Sequence, residues 1–136
     1  MLSDANKTLM LVGRLLIATI FFMNAFGVVD QARPAQEMAA HGVPAFAIVP
    51  MLWAGRIAQL IGGVLLLFSN RLAVVGSFVL AAFLIPATLI GHNFWAATGD
   101  FRQAQLVGFL KNLAILGALV VIAAHDLRPS EKHESR

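Results

Sequence analysis

The stretch LAVVGSFVLAAFLIPATLI, residues 72–90, contains no charged side chain. It is long enough to cross a hydrocarbon core of about 30 Å as a helix, which takes about 20 residues. A buried helix of a water-soluble domain rarely runs this long without a charge, so this segment decides the class of the protein. Working outward, three further apolar runs share its character: Leu9 to Val29, Ala45 to Phe68 and Leu106 to Ala124. The chain as a whole is 59% hydrophobic and 12% charged. Soluble domains carry roughly twice that share of charge, so a polar shell cannot be built and the apolar surface must face lipid. Strands are excluded, because four cannot close a barrel in a bilayer. The expected fold is all-α: an antiparallel four-helix transmembrane bundle in one domain, residues 1–126, with helices at about 9–29, 45–68, 72–90 and 106–124.

The connections fit. Asp30 to Pro44 reads as a polar loop with a Gly42-Val43-Pro44 turn, Ser69-Asn70-Arg71 as a tight hairpin, and Gly91 to Gln105 as a loop around Gly99-Asp100. The tail, residues 127–136, is polar and expected to be disordered. The first run follows a basic residue but is long and has no clean small-x-small site behind it, so it reads as a retained helix and not as a signal peptide. An even number of crossings places both termini on one side. Lys7, Arg71, Arg128, Lys132 and Arg136 gather there, with Arg14 nearby, which predicts cytoplasmic termini. The net charge of +3 is scattered, so there is no basic stripe for nucleic acid, and the absence of cysteine excludes disulfides, iron–sulfur clusters and dithiol redox chemistry.

Small residues at four-residue spacing predict close helix packing: Ala54, Ala58 and Gly62, with Gly55, Gln59 and Gly63 beside them, and Ala114 with Ala118 and Gly117 in the fourth run. Pro86 should kink the third helix or free a carbonyl.

Ionisable groups inside a spanning segment cost about 2.5–3.5 kcal/mol at mid-bilayer, so their positions carry information. Asn24, Arg56, Gln59, His92, Asn93, Lys111 and Asn112 all fall toward the end of the bundle opposite the termini. One reading is a polar funnel. His92, Lys111 and Asn112 would form its core and Arg56, Gln59 and Asn24 its wall, with Asp30 as a counter-charge. Donors there would bind an anion or the oxygens of a quinone, and His92 would relay a proton. The other reading is structural: Arg56 and Lys111 snorkel and the amides bond between helices. Trp53, Phe94 and Trp95 at the same level read as an interfacial belt or as a lid. At the other end, Arg14 either pairs with Asp126 or snorkels. His92 and His125 lie at opposite ends of the bundle, so bis-histidine haem is excluded, and no metal cluster, nucleophile–base pair or phosphate loop is present. The residues by themselves name no reaction.

Several motifs resemble the DoxX family: Arg14 to Gly27, His41-Gly-Val-Pro44, Gly62-Gly63 with its leucine run, Arg71-Leu-Ala73, His92-Asn-Phe-Trp95 and Phe109-Leu-Lys-Asn-Leu113. The resemblance implies a multi-pass protein of the bacterial cytoplasmic (inner) membrane, acting as subunit or anchor of a quinone- or thiol-linked redox system with a protein partner. It also implies a family Lys and Glu where this chain has Val28 and Gln59. Two alternatives stand beside it: a scaffold recruiting a soluble partner through the tail, and a small-solute carrier working as a homo-oligomer.

Overall fold

The computed structural model describes residues 2–30 and 32–127. The expected disordered tail, with Arg128, Lys132, His133 and Arg136, lies outside the described residues. The chain forms five helices: α1 (Leu2–Ala25), α2 (Ala32–Ala40), α3 (Ala45–Leu66), α4 (Arg71–Gly91) and α5 (Gly99–Asp126). There is no strand among the described residues. Four of the helices, α1, α3, α4 and α5, are long and apolar enough to cross a membrane. Large apolar side chains remain uncovered on their outer faces, Leu16 at 71% and Phe78 and Val121 each at 64% exposure. That pattern is costly in water and neutral in lipid.

Two boundaries differ from the hydropathy reading. α1 begins seven residues before Leu9, and α5 begins at Gly99, so about half of the loop expected from Gly91 to Gln105 is helix. Apolar content marks where lipid begins. A helix can continue past that point into the polar zone, as Thr8 does by donating back to the Asp4 carbonyl. A third difference is α2, which occupies the segment read as the loop from Asp30 to Pro44. The Asp30 carboxylate accepts from the Ala32 amide and starts it. Gly42, at φ 80°, ends it: Gly42 N–H reaches the Ala39 carbonyl and Val43 N–H that of Met38. The same glycine-closed ending terminates α1 at Gly27, φ 75°.

Around the bundle the order is α1, α3, α4, α5, with α1 and α5 barely touching. The core joins Ala18 and Phe21 of α1, Leu66 of α3, Ala73, Leu80 and Leu84 of α4, and Leu119 and Ile122 of α5. The glycine spacing in α3 is used. A Cβ on Gly76 would come within 2.8 Å of the Gly62 carbonyl oxygen, so α3 and α4 meet backbone to backbone. Gly63 lies against the Phe22 ring and Gly55 against Phe83. The expected row in α5 is not used this way. Ala114 is exposed and nothing lies within 4 Å of a Cβ at Gly117. α4 runs unbroken through Pro86, which has no N–H to give to the carbonyl of Ala82.

Arg14 pairs with Asp126. Its Nη2 donates to both carboxylate oxygens, at 2.8 and 2.9 Å, and its Nη1 to the Phe68 carbonyl. Arg14 is wholly buried. The bridge therefore ties α1, the end of α3 and the last residue of α5 at the level of the termini.

Candidate functional site

At the opposite end, a cavity of about 790 Å³ lies between the helices and beneath α2. Its walls are mostly apolar, including Phe21, Met51, Phe83 and Ile115. Four polar side chains from the spanning helices and their ends line it: Asn24, Gln59, His92 and Asn112. Proximity follows from register. Asn24 in the last turn of α1 and Gln59 at mid-α3 are set at one depth by antiparallel packing, and Asn24 Nδ2 donates to Gln59 Oε1 at 3.1 Å. Gln59 is buried and returns its own N–H to the Gly55 carbonyl at 3.2 Å. Across the cavity, Asn112 Nδ2 donates to Thr88 Oγ1 at 3.0 Å, and Thr88 donates to the Leu84 carbonyl at 2.6 Å.

His92 caps the C-terminus of α4, with its N–H on the Thr88 carbonyl. Its Nδ1 lies 3.1 Å from Gln105 Oε1. The ring rests on Gly108, where a Cβ would overlap it. Gln105 is 1% exposed. It was not singled out in the sequence, because it fell in a segment read as loop. Thr88 was missed because a lone threonine in an apolar run reads as apolar filler. Its spacing, one helical turn before His92, was the available signal.

The other expected site residues lie elsewhere. Lys111 is exposed and does not line the cavity. It neighbours Asn112, and adjacent helical positions point about 100° apart, so the two cannot share one face. Arg56 is half-buried beside the cavity. Its guanidinium lies over the Trp53 ring at 5.2 Å and close to Gly27, at the carbonyl end of α1, where a cation is favoured. Its Nε is buried without a partner among the described residues. Asp30 is not a counter-charge to either cation. It caps α2.

The cover of the cavity is α2 and not the aromatic residues. Pro34, Glu37 and Met38 line it, with Arg33 and Asp30 at the mouth. Arg33 reaches Glu37 at 3.8 Å and lies over the Phe101 ring at 5.5 Å. Phe94, Trp95 and Phe109 instead form an edge-to-face cluster, with centroids 5.2–6.3 Å apart, outside the lining. No group of three or more His, Cys, Asp or Glu that could hold a metal occurs among the described residues. Chemically, the cavity can hold an apolar body and hydrogen-bond one end of it.

Residues 28–124 match the family model described as HR-like lesion-inducing. The inner membrane protein YphA of Escherichia coli (strain K12) is 32% identical over 126 residues, covering 88% of this chain and 84% of that protein. No solved structure matches. These findings correct the DoxX resemblance, since the matching family is a different one. The quoted motifs are glycine pairs, leucine runs and aromatics at helix ends. Such features serve any closely packed membrane helix and do not separate one family from another. With the four spans, the match identifies an integral, multi-pass membrane protein.

Proposed function

The chain belongs to the HR-like lesion-inducing family, and from that premise we propose that it is a bacterial inner-membrane protein that holds a small lipid-soluble ligand beneath α2. The supporting observation is the convergence of Asn24, Gln59, His92 and Asn112, from four separate parts of the chain, on one otherwise apolar cavity of about 790 Å³. Ligand pockets are typically of this build, roughly 300–1,000 Å³, apolar and with a few placed polar groups. In this reading those four residues contact the ligand, Arg56 and Lys111 face the headgroups, and α2 covers the entrance. A molecule of the quinone/quinol type suits the cavity in size and character. A redox role would follow only if such a molecule were found there.

The test is recovery of the ligand. The full chain is taken from its native membrane in polymer-bounded lipid discs and extracted with organic solvent, and the extract is analysed by mass spectrometry. A compound enriched to near-stoichiometric amount, and depleted when a Gln59→Leu, Asn112→Leu double variant is treated alike, supports the proposal. Bulk phospholipid alone, or an extract unchanged by the double variant, refutes it. Both termini are proposed to face the cytoplasm, as Lys7 and Arg71 suggest. A reporter active only outside the cytoplasm, fused after Arg136, should be silent.

A further inference from the structure

Amides and hydroxyls carry both donors and acceptors. What the cavity offers a guest therefore depends on the bonds its side chains already make. Asn24 donates to Gln59, and Gln59 to the Gly55 carbonyl. Asn112 donates to Thr88, whose own proton is committed to the Leu84 carbonyl. That last bond fixes the direction of the chain, because the threonine oxygen can then only accept from Asn112.

His92 is fixed in the same way. With the Gln105 amide turned so that Oε1 faces the ring, 3.1 Å from His92 Nδ1, that oxygen has no proton to give, and Gln105 Nε2 is buried without a partner among the described residues. In the neutral ring Nδ1 therefore carries the hydrogen and Nε2 carries a lone pair. The Nδ1–Cε1 edge is packed against Gly108, and Gln105 is sealed from solvent, so no water competes for its oxygen.

Three of the atoms left over can only accept. His92 Nε2 and Asn112 Oδ1 have no bond to another described residue, and both residues line the cavity. A third acceptor comes from the backbone. Pro86 cannot supply an amide hydrogen to the Ala82 carbonyl, and Ala82 and Pro86 both line the cavity. An amide nitrogen keeps a second hydrogen, but Nε2 of this tautomer can only accept, and it sets the requirement. Charged lining residues, Asp30, Arg33 and Glu37, all belong to α2 or its cap at the mouth. The interior has neutral acceptors, which suit an uncharged donor better than a buried cation.

The geometry points to a ligand whose head donates: an uncharged hydroxyl, phenolic or alcoholic, on an apolar body. This rests on the cavity being a binding site. A carbonyl head at His92 would set an acceptor against Nε2, so of a quinone/quinol couple the cavity favours the reduced member. Gln105 is a positioning residue that acts through His92.

The experiment compares two probes on the purified full chain in lipid discs by titration calorimetry: an alkylphenol and its methyl ether. They share an apolar body and differ in one donor hydrogen. The phenol should bind about tenfold tighter, the value of one net hydrogen bond. Gln105→Leu should cut that preference to about threefold or less. Gln105→Glu sets a carboxylate against Nδ1, which favours the imidazolium and turns Nε2 into a donor, so it should lose the preference as well. Equal or tighter binding of the ether overturns the donor requirement and leaves the cavity reading standing. Binding of neither probe overturns both. A full preference in Gln105→Leu overturns the role of Gln105. Should that variant fail to fold, the probe comparison on the unaltered chain decides the proposal alone.

Discussion

Removing the Asp126 carboxylate should cost more than any other single polar truncation in the bundle. Asp126 is 4% and Arg14 1% exposed at the side chain, and their contacts are 2.8 and 2.9 Å. Asp126→Leu leaves a buried guanidinium with the Phe68 carbonyl as its remaining partner and its Nε still unsatisfied. Breaking a buried pair on one side costs about 3–5 kcal/mol, whereas replacing both partners with apolar residues of similar size is often neutral. Arg14→Met with Asp126→Leu should therefore stay within about 1 kcal/mol of the unaltered chain, giving a coupling energy of at least about 2–4 kcal/mol, to which any cost of Arg14→Met alone adds. The assay is reversible unfolding in mixed micelles of the four members of the cycle. Single and double variants whose effects simply add, with coupling below about 0.5 kcal/mol, would mean that the bridge contributes nothing and that Arg14 finds headgroups instead.

Four further outcomes are expected. Gly76→Ala should destabilise by about 1–3 kcal/mol, because its Cβ would meet backbone atoms of Gly62 and Leu66 at 2.8 Å. Gly117→Ala, with open space around it, should be neutral or stabilising by up to about 1 kcal/mol, and equal effects in the same unfolding assay would refute the α3–α4 apposition. Asn24→Ala removes the bond to Gln59 and should cost about 0.6–1.7 kcal/mol, the range for interhelical bonds in membranes. Asn70→Ala removes the cap that accepts from the Leu72 amide and should cost about 1 kcal/mol, visible as faster hydrogen exchange confined to the first turn of α4.

The four spans were legible because hydropathy reports the solvent directly. The short helix was not, although Asp30, the alanines and Gly42 are its start and stop signals. Pro34 and the polar composition outweighed them, and a nine-residue helix gains its stability from packing against α3 and α4, which composition does not show. At the candidate site, depth along each helix was legible and rotation about it was not. Asn24, Gln59 and Asn112 were placed together with Lys111 and Arg56, and the direction each side chain takes around its axis separates them. His92 could be found from sequence. Its tautomer could not, since that depends on Gln105, thirteen positions away.

The backbone contact at Gly62 and Gly76 leaves no room for an acyl chain between α3 and α4. Those two helices form a rigid plank, with α1 leaning on one side and α5 on the other, and α1 and α5 are stitched to each other chiefly at the level of Arg14. Tilt that accommodates a thinner or thicker bilayer is therefore expected of the flanking helices sooner than within the plank. The seam between α1 and α5, where the two helices barely touch, is where such tilt would show.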